Sequence, residues 1–548
     1  MLKFDNNKIK NDKVVVGFNT GHHGGCAVIA HGKIAAIAEE RLTRKKYSDG
    51  YINSLFYCLK ALNLKISDVD LFVSSSYYKT PLPKHFMGEL KSLGIPENKF
   101  ITVDHHLSHA YTSYYLSPFD EALITVIDGQ GNNTDTESYF LARKGKIKKI
   151  GGNDPKRSIY KGIGRAYEVF TNYCGWSAQE AGKTMGLAAY GKELYPDTVL
   201  FKINKNLQIE SRIKNKYLQG ALDFVKHNNL KFNKPESGYK NKDAAYFVQD
   251  KIEKIILDLV QKLYGKYKIK NMCLGGGVFL NSIVNKKIID NTNIENLFIP
   301  PCCDDTGQAL GNALFGFHHY FGNNKIIELN NAYLGRRYED KEILDVLNKN
   351  QKIFTLPYHV KATKIVFKKS SNIAKDTAKL LANKKIIGWF QGGSEVGPRA
   401  LGHRSILCAP YPIGMKETLN RRVKHRETFR PFAPSVLKEK VRDYFYINVS
   451  SPFMLFVAKA KEVAKKKAPA TLHVDNTARI QTVDEKNNGL YYDLIKEFYK
   501  ITGVPVILNT SFNDNNEPII ETPGDALSMF CKTPIDHLVM GNYLISKK

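Results

Sequence analysis

The feature that most restricts this chain is a β-branched strand running into a glycine-rich turn, used twice. Near the amino end, Lys13-Val14-Val15-Val16-Gly17-Phe18-Asn19 leads into a turn cluster from Asn19 to Gly25. Much further along, Met272-Cys273-Leu274 runs into Gly275-Gly276-Gly277 and then a helical Val278 to Ile289. After the first turn, Cys26 to Ala30 and Lys33 to Ala38 read as a hairpin turning at His31-Gly32. Leu71-Phe72-Val73, Phe100 to Val103 and Ala122 to Ile127 are further strands of this half. After the second turn, Leu297-Phe298-Ile299 and Asp304-Asp305-Thr306-Gly307 open onto an Ala/Leu-rich helix. Strand, turn and helix repeated in two lobes predict a duplicated α/β domain with its site in the cleft between them. Sequence identity between the lobes is too low for a repeat to be read from pattern alone.

A boundary falls near Leu334 to Leu347, where Gly335-Arg336-Arg337-Tyr338-Glu339-Asp340 precedes a fresh helix. Beyond it, Lys385 to Phe390 and Val504 to Leu508 are strands, the second ending in Asn509-Thr510-Ser511-Phe512-Asn513. The absence of a low-complexity linker predicts two domains, 1–347 and 348–548, with an extensive interface. At 43% hydrophobic and 24% charged, the chain is globular rather than collagenous, mucin-like or disordered. No apolar run approaches the ~18 residues of a membrane span, and Met1 to Asn7 lacks the apolar core of a signal peptide. Eight cysteines without a CxxC pair argue against a disulfide framework or zinc ribbon. Cys302-Cys303 reads as two reduced thiols in a loop, and the expected location is cytoplasmic. A net charge of +28 attracts polyanions. Its lysines are nevertheless scattered among asparagine and isoleucine, so charge alone does not decide function.

Asp104-His105-His106-Leu107-Ser108-His109 follows a strand, with Asp104 a helix N-cap candidate. A helix starting there puts His105 and His109 four apart on one face, which is metal-ligand spacing. Asp128, at a strand end, and Asp305 are the candidate carboxylates, and such a donor set suits a first-row divalent cation. Two glycine-rich turns are candidate anion cradles: Asn19 to Gly25, and Gly275-Gly276-Gly277 before its helix. Gly182-Lys183-Thr184 is not the end of a P-loop, because Ser177 stands where the first glycine is required. In the second half Arg399, Arg404, Lys424, Arg426, Arg430 and Arg479 lie beside small or polar turn residues, with His473 nearby. Several sit among Gly397-Pro398, Pro431, Phe432 and Pro434, a composition poor for a solvated helix and suited to an anion pocket. No Gly-x-Ser-x-Gly elbow or catalytic cysteine stands out, which disfavours a covalent hydrolase.

Taken in order, Gly21-His22-His23-Gly24-Gly25, Glu39-Glu40-Arg41, Asp104 to His109, Gly182 to Ala188 and Gly275 to Val278 resemble the O-carbamoyltransferases of nodulation, cephamycin and aminoglycoside pathways. Gly397-Pro398-Arg399-Ala400-Leu401-Gly402, Phe429 to Pro434 and Asn509 to Asn513 complete the resemblance, which runs from Gly17 to Asp525. It implies an amino-terminal actin-like domain (1–347), similar to the tRNA threonylcarbamoyl transferases, that transfers the carbamoyl group to a hydroxyl. It also implies a YrdC-like α/β domain (348–548) that makes carbamoyl-adenylate from ATP and carbamoyl phosphate.

Carried over by position, His105, His109, Asp128 and Asp305 hold a divalent metal, commonly Fe(II). Lys424 and Arg426 are the Lys-x-Arg of the adenylate site, and Ser511 and Asn513 its Ser-x-Asn partner. Arg479 and His473 accompany them, and His22 is the first-turn histidine near the transfer site. Many members have aspartate where this chain has His23, and some have Arg-Gly at Asn515-Asn516. The expected partner is a small hydroxyl acceptor such as a natural product or sugar. Nucleic acid is disfavoured, no membrane is expected, and a homodimer is admissible. Two rivals are a tRNA threonylcarbamoyl-transfer protein and a non-catalytic nucleotide-sensing or RNA-binding module.

Overall fold

β1 (Val15–Asn19) is buried along its whole length because it is the middle strand of a five-stranded sheet covered on both faces. It pairs antiparallel with β2 (Gly25–Ala30), which pairs antiparallel with β3 (Lys33–Ala38). On its other edge it runs parallel to β4 (Leu71–Ser76) and, beyond that, β5 (Phe100–Asp104). The β2–β3 link is the expected two-residue turn: His31 and Gly32 have φ of 48° and 68°, the left-handed pair that matches hairpin twist. The computed structural model from which this is drawn describes residues 13–76, 84–323, 327–350, 352–354 and 362–548. Met1 to Asn7 lies outside the described residues.

The same plan recurs. β6 (Glu121–Ile127) pairs antiparallel with β7 (Glu137–Arg143), and β7 with β8 (Lys146–Gly152). After a small hairpin of β9 (Phe201–Ile203) and β10 (Ile209–Ser211), β11 (Asn271–Gly275) lies parallel to β6, and β12 (Asn296–Phe298) parallel to β11. The orders β3-β2-β1-β4-β5 and β8-β7-β6-β11-β12 are the same walk with the same strand senses. This is the duplicated, actin-like α/β arrangement.

Two helices are sandwiched between these sheets. His105–Tyr115 packs on β6 and β11 of the second lobe, Gln308–Phe315 on β1, β2 and β4 of the first, and the two pack on each other. Their approach is close: a Cβ on Gly311 would lie 2.2 Å from the Ser108 carbonyl, and one on Gly17 2.1 Å from that of Ala309. Such proximity buries His105–Tyr115 on all sides, so hydroxyls replace a polar outer face. Ser108 Oγ donates to the Gln308 carbonyl at 3.1 Å, Thr112 Oγ1 to that of Gly307 at 3.1 Å, and Ser113 Oγ to that of Leu274 at 3.0 Å. The expected helix from Val278 is instead a 3₁₀ turn, Gly277–Leu280, followed by a helix Ser282–Asn291. Asn281 intervenes because its side chain caps the second helix at Val284 N.

Beyond the helix Asp340–Lys349 lies a mixed sheet, eleven-stranded among the described residues, between Lys352 and Lys547. Its centre runs Ile387–Phe390, Arg404–Cys408, Val506–Ser511, Ala433–Leu437 and Thr477–Val483. All eight cysteines are free thiols, Cys302 and Cys303 both buried. Among the described residues no helix is long and apolar enough to cross a membrane.

Candidate active site

Four donors converge where the two lobes meet. Asp104 caps its helix as expected, accepting Leu107 N–H at 2.9 Å, and the next residues turn His105 and His109 to one side. Asp128 follows the last residue of β6, and Asp305 opens the turn before Gln308–Phe315. His109 Nε2 lies 3.1 Å from Asp128 Oδ2 and 3.3 Å from Asp305 Oδ1. His105 Nε2 lies 3.4 and 3.2 Å from the same two oxygens. One donor atom from each residue falls within a 4.8 Å span. His106 turns away instead, its Nδ1 on Ser138 Oγ at 2.8 Å.

Burial alone would lower the pKa of His105, yet the charges of Asp305 and Asp128 push it up to about 10. Burial would raise Asp305, but His105 and His109 hold it well below the usual carboxylate range. Two carboxylates facing two imidazoles in a dry cleft need positive charge between them. A divalent cation fits this N₂O₂ donor set and supplies that charge without protons on the histidines. The other oxygen, Asp128 Oδ1, accepts Gly129 N–H at 2.8 Å and Gly277 N–H at 3.3 Å, which fixes the carboxylate's rotation. His22 Nε2 stands 3.3 Å from Asp305 Oδ2 at the open side.

These contacts correct the Gly275-Gly276-Gly277 expectation. Gly276 N–H is spent on the Cys303 carbonyl at 2.7 Å and Gly277 N–H on Asp128, so neither cradles a phosphate. Gly276 has φ 92°, and a Cβ there would lie 2.2 Å from the Ile127 carbonyl; one on Gly275 would crowd Ser113 Oγ at 2.8 Å. Gly275, Gly276 and Gly277 are glycines so that β11 can pass tightly behind the quartet. In the first turn Gly24 N–H donates to the Ser48 carbonyl at 3.0 Å.

The second constellation is cationic. Arg399, Arg426, Arg430 and Arg479 face one another closely enough that, after burial, each of Arg399, Arg426 and Arg479 is pushed down by neighbouring guanidinium charge, Arg426 to about 9. Burial, then Arg426 and Arg430, also drive Lys424 well below its ordinary value. The Arg479 side chain makes no ion pair among the described residues, and the Nε atoms of Arg399 and Arg479 are buried without a hydrogen-bond partner. Glu427, 3.5 Å from Arg430, and Asp304, whose charge Arg399 feels, are the acids beside these cations, and the remaining excess of like charge suits a polyanion. Arg426 borders a cavity of about 630 Å³ lined also by Glu417, Thr418, Asn420, Arg421, His425 and Thr428.

Lys424 meets its expected partners. Its Nζ donates to the Ser511 carbonyl at 3.0 Å, the Asn513 carbonyl at 2.6 Å and Asn513 Oδ1 at 2.7 Å. His473 acts at one remove, its Nε2 3.2 Å from the Phe429 carbonyl beside Arg430. Arg404 departs from expectation. It is fully buried, stacked on Phe390 at 3.7 Å, and its N–H groups go to the carbonyls of Gln391, Gly392 and Glu521. It braces the strand ends and does not face the pocket.

Two residues absent from the sequence expectation join the constellations. Asp304 is charge-coupled to His23 on one side and to Arg399 on the other. Lys46 feels Glu40 and Arg430, which brings an amino-terminal cation to the carboxy-terminal pocket. Their signal was position: Asp304 beside Asp305, Lys46 just after Glu39-Glu40-Arg41.

The comparisons agree with this geometry. The carbamoyltransferase N-terminus model matches residues 74–314 and the carbamoyltransferase C-terminus model residues 378–547. Nodulation protein NolNO of Sinorhizobium fredii (strain NBRC 101917 / NGR234) is 32% identical over 97% of this chain and 80% of its own length. An uncharacterized protein of Synechocystis sp. is 33% identical over 96% of this chain and 95% of its own. The 3'-hydroxymethylcephem-O-carbamoyltransferase of Amycolatopsis lactamdurans is 24% identical over 96% of this chain and 98% of its own. With both parts matched in order and relatives aligned end to end, the chain belongs to the carbamoyltransferase family of enzymes.

Proposed function

We propose that this protein is an ATP-dependent O-carbamoyltransferase whose two half-reactions divide between the cation cluster and the His/Asp quartet. The observation that carries the reading is the pairing of a cluster of mutually repelling arginines beside the buried Lys424 with a buried N₂O₂ set. In the first half, water splits carbamoyl phosphate into carbamate and phosphate. A carbamate oxygen then attacks the α-phosphorus of ATP, the bond to pyrophosphate breaks, and carbamoyl-adenylate forms. Arg399, Arg426, Arg430 and Arg479 hold the phosphate oxygens, and Lys424 stabilises charge developing on them. Ser511 and Asn513 orient Lys424.

In the second half, the acceptor hydroxyl attacks the carbamoyl carbon, the bond to AMP breaks, and the hydroxyl proton passes to His22 Nδ1, the ring being oriented by Asp305 through Nε2. A divalent metal on His105, His109, Asp128 and Asp305, which we take to be Fe(II), supplies Lewis acidity toward carbamoyl or phosphate oxygens. The acceptor is a small natural product or sugar, the class that the cephem relative's name supports. Residues 1–347 would perform transfer, and the YrdC-like residues 348–548 adenylate formation. The helix Asp340–Lys349 packs Ile343 and Leu347 with Ile365 and Ile386, which supports drawing that boundary back to about Glu339.

Pyrophosphate release and product mass, measured on Lys424→Ala and His105→Ala against a panel of hydroxylated acceptors, test the division. Lys424→Ala should lose pyrophosphate release by about 2–4 kcal/mol of transition-state stabilisation and be rescued by synthetic carbamoyl-adenylate. His105→Ala should release pyrophosphate and fail to transfer even with the adenylate supplied. The reverse rescue pattern overturns the assignment, and salt-dependent tRNA retention on filters would favour the threonylcarbamoyl reading.

A further inference from the structure

The Glu39-Glu40-Arg41 motif is absorbed by neither half-reaction, yet all three side chains are committed. Glu39 caps the helix Ile52–Ala61, accepting Asn53 N–H at 3.1 Å and Ser54 N–H at 2.8 Å. Glu40 Oε2 accepts Tyr47 N–H at 2.9 Å and so folds the turn that carries Lys46. Arg41, 3% exposed, crosses to the other half of the molecule and donates from Nη2 to the Gly397 carbonyl at 2.7 Å.

That carbonyl belongs to the loop that presents Arg399. Nearly every polar group of the loop is tied down. Glu395 Oε1 accepts Leu401 N–H at 2.7 Å, His403 N–H at 2.8 Å and Arg404 N–H at 3.1 Å. Asn509 donates to the Ala400 carbonyl, Tyr333 and Gln481 to that of Leu401, and Trp389 to that of Gly402. Gly397, at φ 90°, sits where a Cβ would be 2.3 Å from the Pro301 carbonyl, so the loop leans on the segment leading to Asp304 and Asp305. Within this frame Arg41 is the clamp that comes from the amino-terminal half. The Arg41 Nη1 and Glu395 Oε2 atoms are both buried without a hydrogen-bond partner. Against its burial, the charges of His403 and Arg41 keep the Glu395 carboxyl below the usual range.

We propose that Arg41, through its bond to the Gly397 carbonyl, is a positioning residue that works with the amide-binding Glu395 to hold the Gly397–Gly402 loop against the Pro301–Asp305 segment, setting the reach of Arg399 between the two half-sites. Arg41 acts through Arg399 and touches no substrate. The inference rests on the reading of the arginine cluster as an anion site.

A double-mutant cycle on the full chain tests it, with inorganic pyrophosphate binding followed by calorimetry. Arg41→Ala should weaken pyrophosphate binding about ten-fold, and by less than two-fold when Arg399→Ala is already present. Arg41→Lys, which keeps one donor toward Gly397, should show a coupled loss of about three-fold, and it carries the test if Arg41→Ala does not melt cooperatively. Equal losses in both backgrounds, or none in either, overturn the positioning role. If Arg399→Ala alone leaves pyrophosphate binding unchanged, the anion-site reading itself fails, and the inference with it.

Discussion

Lys183 Nζ lies 2.6 Å from Glu180 Oε1 and 2.5 Å from Glu427 Oε1, so one ammonium ties the helix Ala181–Ala188 to the turn carrying Arg430. Glu427 has a second suitor, since its Oε2 is 3.5 Å from Arg430 Nη1. Lys183 and Arg430 thus share one carboxylate, which leaves the pocket arginine only partly neutralised. The segment that superficially suggests a P-loop end is an electrostatic clamp between the halves.

Removing that clamp should release Glu427 onto Arg430. We expect Lys183→Ala to weaken pyrophosphate binding about five-fold, equivalent to roughly 1 kcal/mol for a partly buried ion pair. Lys183→Ala with Glu427→Gln should recover most of the loss. A double variant as weak as the single one would show that Glu427 does not compete for Arg430.

The quartet should bind one divalent metal per chain, because its four donor atoms already sit within a single coordination span. Elemental analysis of His109→Ala should show that stoichiometric metal is gone, while cobalt substitution of the parent should give a four-donor visible spectrum. Unchanged metal content in His109→Ala would remove the site from the mechanism.

Anion binding should take up a proton. Burial, Arg426 and Arg430 depress Lys424 in the free protein, and a bound polyanion cancels the arginine charge and lets its pKa rise. Because the bound form has the higher pKa, affinity is greatest below the free-protein pKa and falls as pH climbs through the interval between the two. Calorimetry of pyrophosphate binding in buffers of different ionisation enthalpy should show proton uptake at pH values between the free and bound pKa, reduced in Lys424→Met. Identical uptake in that variant would assign the proton to another group.

Arg404→Ala should destabilise the fold rather than act on the pocket. It would strip the carbonyls of Gln391, Gly392 and Glu521 of donors and leave the buried Glu521 carboxyl, 3.7 Å away, without its cation. A loss of about 3–5 kcal/mol is expected for one partner of such a pair, read as a drop in thermal midpoint. Pyrophosphate affinity of the still-folded protein at low temperature should be close to that of the parent. A normal midpoint with lost affinity would return Arg404 to the pocket.

Where chemistry is carried by local spacing, the chain's own residues sufficed. The i, i+4 histidines behind an Asp104 cap, the His31-Gly32 hairpin and the strand leading to Asp128 each depend on a few consecutive positions, because helix and strand periodicity fix which side chains share a face. The doubled strand-turn grammar likewise indicated the duplicated lobes. Only the tertiary structure separated Arg399, set among the other arginines with its Nε unpartnered, from Arg404, whose donors the strand ends consume, though they stand five positions apart. It also gave the glycine triplet to close packing and brought Lys46 and Arg41 to the other half of the chain. A guanidinium or a backbone amide looks alike in sequence whether it is spent on a carbonyl or held ready for a ligand. Which of these happens is settled by groups from about a dozen to several hundred residues away, brought to hydrogen-bonding distance when the chain folds.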